Sequence, residues 1–409
     1  MALLSTRHPT LQTLAIRDVR VYLVARATSM LGHALYRATL AWHIWKLTGS
    51  YALLGTLGLV EFLPVIPTSL FAGALADVAD RRVIVIRTQA AALGFSALLA
   101  VAAGTGQGEL PAILVTAFGL AIALSFQAPA AISLLPRLVP PELFPPATVV
   151  NASARNLATV SGPVVMGLVA RVYGIAACYA LCALCFLAAA IALAQLPPQR
   201  AEGGVAPSWA SVREGLMFVR RQRVVLGAMG LDMFAVIFAG ATAMLPVFAD
   251  EVLGVGELGY GLLSASLQVG TLLMTLVLLV LPPLVRPGRA LLWAVGFFAL
   301  ATVIFGLSRS FPLSVGAFVL AGMADQVSMT ARSILVQMST PDELRGRVTA
   351  VSMIFIGASN ELGAAESGYL AALTSATFSV VFGGCVALGV LGIVTWRVPE
   401  LRRYRLDET

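Results

Sequence analysis

Long apolar runs without strand-like alternation constrain this chain more than any other feature of its sequence. Each run is long enough for an α-helix to cross the roughly 30 Å of hydrocarbon in a bilayer. The runs cover residues 20–46, 51–76, 83–104, 110–135, 151–172, 175–196, 224–249, 258–281, 289–308, 311–338, 348–373 and 377–397. Because polar and apolar residues do not alternate within them, they do not read as half-buried strands. They predict an all-α membrane protein with twelve transmembrane helices.

The composition points the same way. Hydrophobic residues make up 59% of the 409 residues and charged residues 11%, whereas soluble domains carry about 25% charged residues. Such a chain cannot hide its apolar surface in a soluble core, so we expect the lipid bilayer to surround it. The formal net charge of +7 does not indicate nucleic acid, because the arginines lie in short loops between the runs.

The distribution of basic residues predicts the orientation. With the N-terminus in the cytoplasm, twenty of the 27 lysines and arginines fall in cytoplasmic segments, and only Lys46, Arg171 and Arg309 fall outside. Cytoplasmic loops of membrane proteins are enriched in such residues. We therefore predict a multi-pass protein of the cytoplasmic (inner) membrane with both termini inside.

An internal repeat divides the runs into two sets of six. A shift of 201 positions places Pro140-Pro-Glu142-Leu143 on Pro341-Asp-Glu343-Leu344, Gly162 on Gly363 and Gly167 on Gly368. Parallel repeats of this kind occur in transporters whose substrate site lies between the repeats. The repeat predicts a six-helix bundle at 1–197 and a second at 224–409.

A polar linker, 198–223, joins the two predicted bundles. Trp209, Val212, Leu216 and Val219 recur in it at helical spacing, and Ser211-Val-Arg-Glu214 reads as a capping box. We predict a short amphipathic helix on the cytoplasmic membrane surface. A merely solvated linker is the alternative.

A charged hairpin separates the second and third runs: Gly73-Ala-Leu-Ala-Asp77-Val-Ala-Asp80-Arg81-Arg82. It resembles the loop between the second and third helices of the major facilitator superfamily, a large group of secondary transporters. The family's usual glycine before the first arginine is Asp80 here, which resembles the branch of the enterobactin exporter and the macrolide efflux pumps. The resemblance implies two pseudo-symmetric bundles of six helices and a small-molecule substrate, and we expect a monomer.

Charged residues inside membrane spans are costly and are functional candidates by default. Arg26, His33 and Arg37 lie on one stripe of the first helix. With Arg155 and Arg332 they are our candidates for a substrate cavity whose basic wall attracts an anionic or polar molecule. The alternatives are that Arg26 reaches the cytoplasmic headgroups, that Arg37 pairs internally and that His33 is a packing residue.

The source of energy follows from what the chain lacks. It has no phosphate-binding loop of the G-x-x-x-x-G-K-[ST] type, so we expect no cofactor and a proton gradient as the driving force. A proton gradient requires a buried carboxylate that takes up and releases a proton. The candidates are Glu61, Asp325 and Glu361, with Glu61 slightly favoured and Asp232 a weaker fourth. Structural ion pairs, such as Asp325 with Arg332, are the alternative.

Two further groups of residues are assigned from the family resemblance. A cytoplasmic gate is predicted from charges at the hairpins, with topology-setting charges as the alternative; its residues are Gly73, Asp77, Asp80, Arg81, Arg82, Asp342, Arg345 and Arg347. In the fifth run, Ser161-Gly162-Pro163-Val-Val-Met166-Gly167 partly resembles an antiporter signature. We predict a close-packed kink at Gly162, Pro163 and Gly167, with ordinary helix packing as the alternative.

Together these features predict a secondary transporter that exports a small amphipathic molecule, a drug or a siderophore, by proton antiport. A lipid or lysophospholipid flippase of the same fold is one alternative. A receptor or assembly protein without transport is another. We do not expect an enzyme, because the chain has three histidines and its loops contain no metal-ligand cluster or nucleophile–base spacing.

Overall fold

The structure is a computed structural model that describes residues 9–65, 67, 68, 71, 72, 75, 79–198 and 209–405. These residues form α-helices and no β-strand. The α-helices are α1 (Pro9–Ala15), α2 (Arg17–Thr48), α3 (Tyr51–Phe62), α4 (Arg81–Thr105), α5 (Glu109–Ile132), α6 (Leu135–Leu138), α7 (Phe144–Tyr173), α8 (Ile175–Ala194), α9 (Trp209–Arg221), α10 (Arg223–Ala239), α11 (Leu245–Val247), α12 (Gly256–Val280), α13 (Pro287–Leu307), α14 (Phe311–Met338), α15 (Asp342–Leu373), α16 (Ala376–Arg397) and α17 (Pro399–Arg403).

Nine helical segments of the described chain are long and apolar enough to cross a membrane. Three predicted spans are not among them. Two of these lie in α2 and α7, which are 32 and 30 residues long but carry charged side chains such as Arg26 and Arg155. The third lies in α3, of 12 residues. The predicted all-α membrane fold is confirmed, and the total of twelve crossings stays a prediction.

Apolar side chains remain exposed on the outside of these helices. Val280 is 88% exposed, Leu279 76% and Trp293 70%. Exposure of so much apolar surface to water is unfavourable, whereas its contact with hydrocarbon is not. The exposed surface is therefore suited to lipid.

The described chain groups into two compact units. The first comprises Met1–His43 and Leu63–Pro207, and the second comprises Ile44–Phe62 and Ser208–Thr409. The predicted boundaries at 197 and 224 stay a prediction.

The first unit has an apolar core where α2, α4 and α5 meet. Tyr22, Val85 and Leu134 are buried there. Asp80 caps α4, because its carboxylate accepts a hydrogen bond from the backbone N–H of Arg82 at 2.9 Å. The same core includes Leu138 of α6, Ala147 of α7 and Leu193 of α8, so these helices pack around it as well.

The second unit has its main core between α10, α13 and α14, where Leu231, Leu291 and Leu335 are fully buried. The predicted seventh span, 224–249, is α-helical only as far as Ala239. A 3₁₀ turn (Ala241–Met244), α11 and a π-helical turn (Phe248–Val252) follow. Gly240 and Pro246 account for the break, since glycine weakens a helix and proline lacks an N–H donor.

Helix α9 lies within the predicted linker. Its Val219 is buried in a cluster with Val348 and Val351 of α15. The Glu214 carboxylate forms an ion pair with Arg347 at 2.7 Å. Helix α9 is thus packed on the start of α15 through its apolar face.

The internal repeat is visible in the backbone of each unit taken separately. Pro140 and Pro341 have nearly the same dihedral angles, φ −58° and ψ 149° against φ −56° and ψ 149°. Gly162 packs on the backbone of α2 at Leu35, and Gly363 packs on the backbone of α10 at Val236. The same shift of 201 relates these contacts, so the sequence repeat corresponds to a structural one.

The four cysteines have two kinds of environment. Cys178, Cys182 and Cys185 are buried in α8, whereas Cys385 of α16 is exposed. All four are free thiols.

Candidate functional site

A buried ion pair lies in the second unit between α10 and α14. The guanidinium of Arg332 donates a hydrogen bond to the Asp232 carboxylate at 2.5 Å. The hydroxyl of Ser328 donates to the other carboxylate oxygen at 3.0 Å. All three side chains are buried. Since isolated charges are very costly in such an environment, each charge depends on the other.

A second carboxylate lies next to this pair. Asp325 is one helical turn from Ser328 and two turns from Arg332 on α14, and it is within electrostatic reach of both Asp232 and Arg332. The ion pair of Arg332 is with Asp232, and not with Asp325 as in the alternative interpretation of the sequence. Asp325 is therefore a second acid near a guanidinium that already pairs with Asp232, and these three residues carry one net negative charge whenever both acids are ionised.

The first unit contains a buried polar cluster that the sequence analysis missed. The side-chain amide of Gln89 donates a hydrogen bond to the Ser29 hydroxyl at 2.5 Å, and that of Gln127 donates to the same oxygen at 3.2 Å. These side chains are at most 2% exposed. Gln89 and Gln127 are uncharged and isolated in apolar runs, so a search for charged residues did not find them.

A small cavity lies beside this cluster, with room for about one water molecule. Arg26, Ser29, Gln89 and Gln127 line it on its polar side, and Tyr22 and Leu134 are among its other lining residues. The Oε1 atom of Gln89 has no hydrogen-bond partner among the described residues. The cavity is therefore a polar space inside the first unit.

The basic residues predicted to line a substrate cavity do not share one environment. Arg26 lines the cavity just described and is within electrostatic reach of Arg155. His33 is buried against Phe186, with ring centroids 4.8 Å apart, which favours the packing interpretation. Arg332 is neutralised by Asp232. Arg26 is thus near Arg155, and His33 is within electrostatic reach of Arg26 and Arg37.

The remaining acids of the predicted coupling set lie in the second unit. Glu61 is near the end of α3 and Glu361 lies in the middle of α15, and both are partly buried. Their role in proton coupling stays a prediction.

Helices α3 and α15 of the second unit pack closely through glycines. Gly55 faces the backbone of Gly368, and Gly58 faces the carbonyl of Glu361. The hydroxyls of Thr56 and Tyr369 form a hydrogen bond at 3.0 Å across the same contact. Small residues allow two helices to approach to backbone contact, so Glu61 and Glu361 lie on helices whose spacing is fixed.

Polar contacts attach the chain before α3 to the π-helical turn. The indole N–H of Trp45 donates to the Asp250 carboxylate at 3.0 Å, and the Lys46 ammonium forms an ion pair with it at 3.3 Å. The Tyr51 hydroxyl donates to the Glu251 carboxylate at 2.9 Å. Adjacent carboxylates in this turn thus hold both ends of the loop between α2 and α3.

The predicted gate residues are described only in part. Gly73 and Asp77 lie outside the described residues. Asp80 caps α4, and the Arg82 guanidinium donates to the carbonyl of Ala194 at 2.6 Å. In the second unit, Asp342 pairs with Arg345 of its own helix at 2.9 Å, and Arg347 pairs with Glu214 of α9. The gate itself stays a prediction.

The predicted kink residues lie inside one continuous helix, α7. Gly162, Pro163 and Gly167 are all buried, and a side chain at Gly162 would collide with Ala34 of α2. Close helix packing at Gly162 is therefore present, while a bend at Pro163 stays a prediction.

Comparison with protein families gives a match over nearly the whole chain. A family model described as transmembrane secretion effector matches residues 9–407. The enterobactin exporter EntS of Escherichia coli O1:K1 / APEC is 27% identical over 278 residues. That alignment covers 66% of this chain and 65% of the exporter, so the chain spans slightly less than two thirds of the length of this relative.

A second relative aligns over a longer stretch. The uncharacterized MFS-type transporter y4rN of Sinorhizobium fredii (strain NBRC 101917 / NGR234) is 23% identical over 92% of this chain and 94% of its own. Among solved structures, a POT family transporter in complex with a thioalcohol-conjugated peptide has a TM-score of 0.74 at 12% identity, covering 94% of this chain and 96% of that chain. The nucleoside transporter NupG has a TM-score of 0.73 at 12% identity, covering 95% and 100%.

Proposed function

Because this chain belongs to the transmembrane secretion effector family of major facilitator superfamily transporters, we propose that it exports a small amphipathic molecule by proton antiport. The proposed substrates are hydrophobic drugs and siderophores. Support for a siderophore comes from the 27% identity to a protein named as an enterobactin exporter. Support for antiport comes from the residues of this chain.

The observation that carries the proposal is the group formed by Asp232 and Arg332, which are buried, and Asp325, which is partly buried. Two carboxylates and one guanidinium leave one negative charge inside a membrane bundle, where an unbalanced charge is costly. Protonation of Asp325 removes that charge while the Asp232–Arg332 pair stays intact. Asp325 is thereby suited to bind a proton on one side of the membrane and release it on the other as substrate moves the opposite way.

Transport in proteoliposomes with an imposed pH gradient tests this proposal. The panel contains a macrolide, a cationic dye, a catecholate siderophore and a fluorescent lysophospholipid. We expect Asp325→Asn to abolish gradient-driven transport and to retain exchange of labelled for unlabelled substrate, because exchange needs no net proton movement. The control is Glu142→Gln, which changes an exposed carboxylate and should retain both activities. Gradient-driven transport by Asp325→Asn at the wild-type rate would refute this role.

Glu61 is the alternative carrier that the sequence favoured. If Asp325 carries the proton, Glu61→Gln will slow transport without removing its dependence on the pH gradient. The measurement is the initial rate at several imposed gradients. A rate for Glu61→Gln that no longer changes with the gradient would transfer the role to Glu61.

The same panel distinguishes export of solutes from movement of lipids. Transport of the lysophospholipid alone would replace the proposal with a flippase.

A further inference from the structure

Two neighbouring arginines of the first unit, both in predicted membrane spans, lack a carboxylate partner among the described residues. Arg26 of α2 is partly buried and Arg155 of α7 is exposed, and the two are close enough for their charges to repel. Neither forms an ion pair with a described acid. The described carboxylates of this unit are Asp18, Asp80, Glu109 and Glu142.

Two of these four acids already have hydrogen-bond partners. Glu109 is bound to the imidazole of His43 at 2.5 Å, and Asp80 caps α4. Arg26 is partly buried, and an unpaired charge in a low-dielectric environment costs several kcal/mol or shifts to its neutral form. Arginine keeps its proton, so a bound anion would stabilise Arg26.

The surroundings of Arg26 supply hydrogen-bond donors for such an anion. Gln89 and Gln127 each use one amide N–H on Ser29, and each amide has a second N–H. Ser29 accepts both bonds through its oxygen, so its own O–H remains as a donor. Arg26 and these three side chains line the same cavity, which therefore combines a positive charge with neutral donors, the pattern that binds carboxylates and other oxyanions.

The size of the cavity limits what enters it. It has room for about one water molecule, which accommodates an oxygen atom of a charged head group and not a whole drug-sized molecule. Arg155, which is exposed, lies outside this lining and near enough to act on the same charge. An amphipathic molecule would thus place its anionic end at Arg26 and leave its apolar body outside the cavity.

We propose that Arg26 and Arg155, with Ser29, Gln89 and Gln127, bind the anionic head group of a soluble amphipathic substrate. This inference rests on the proposed function, because it assigns the charge class of the transported molecule. It does not depend on proton coupling. The site lies wholly within the first unit, whereas the proposed proton site lies in the second.

Equilibrium binding to the purified full-length protein in detergent tests this site without any pH gradient. The probes are dansylglycine, which carries a carboxylate, and dansylglycinamide, its uncharged analogue, titrated by fluorescence. We expect dansylglycine to bind about tenfold more tightly or better, the factor expected of one charge-assisted hydrogen bond. Arg26→Gln and Arg155→Gln should each reduce this preference, and the double variant should remove it.

The control is Arg171→Gln, which makes the same change at an exposed position in the last turn of the same helix as Arg155. It should keep the wild-type preference. If Arg26→Gln does not fold, Arg155→Gln alone provides the test, because its side chain is exposed. Equal affinities of the two probes for the wild type, no saturable binding of dansylglycine, or a preference that survives the double variant would each overturn the proposal.

A competition experiment separates a soluble anion from a lipid headgroup. Phosphatidylglycerol added to the micelles should leave dansylglycine binding unchanged relative to phosphatidylcholine. Displacement by phosphatidylglycerol alone would overturn the assignment to a soluble anion in favour of a lipid phosphate. If the wild-type protein shows no gradient-driven transport but still prefers dansylglycine to dansylglycinamide, antiport is refuted and the anion site is not.

Discussion

The Asp232→Ala variant will unfold at a markedly lower denaturant concentration than the wild type, with a loss of about 3–5 kcal/mol in the free energy of unfolding. Removal of the carboxylate leaves the buried guanidinium of Arg332 without its counter-charge, and the hydroxyl of Ser328 loses its acceptor. SDS titration in dodecylmaltoside micelles, followed by circular dichroism, measures the change.

Two further variants make this result specific. The double variant Asp232→Leu/Arg332→Met removes both charges and should recover most of the lost stability, because the penalty comes from the unpaired charge and not from the absence of the pair. Asp342→Ala breaks an ion pair in which both side chains are at least half exposed, and it should change unfolding little. Equal unfolding midpoints for Asp232→Ala and the wild type would show that the buried charge of Arg332 does not need Asp232 as its counter-charge.

Gly368→Ala is expected to destabilise the second unit by about 1–3 kcal/mol. A methyl group at this position would lie 2.5 Å from the backbone nitrogen and Cα of Gly55, and backbone atoms cannot rotate away as a side chain can. Helices α3 and α15 would have to separate, so the hydrogen bond between Thr56 and Tyr369 should also be lost. The same SDS titration measures the effect on unfolding.

Gly357→Ala provides a matched control in the same helix. A methyl group there meets nothing within 4 Å, and alanine favours a helix over glycine by up to about 1 kcal/mol. Its unfolding midpoint should equal or exceed that of the wild type. If both substitutions lower stability equally, the effect comes from the helix itself and not from its contact with α3.

The sequence was sufficient to predict the fold class because hydropathy and length alone determine which segments cross a bilayer. It was less informative about where helices begin. Helix α7 starts at Phe144 and α15 at Asp342, each six or seven residues before the predicted apolar run. Polar residues outside the hydrocarbon can extend a helix, and proline is tolerated in its first turn, so hydropathy does not mark these starts.

The candidate site was less predictable than the fold. Asp232 and Arg332 are separated by 100 residues, and no local period connects them. Asp325 shares a helix with Arg332, so the sequence pattern offers Asp325 as the partner of Arg332. Gln89 and Gln127 carry no charge and belong to different helices. Only their convergence on Ser29 identifies them, and that convergence depends on how α2, α4 and α5 pack.

The environments of the four cysteines make unfolding measurable without engineering the chain. The three thiols buried in α8 should react slowly with a maleimide fluorophore in the folded protein and faster once α8 is released from its neighbours. Labelling of these three thiols then rises as the first unit opens. Loss of packing around α8 can in this way be followed separately from events in the other half of the molecule.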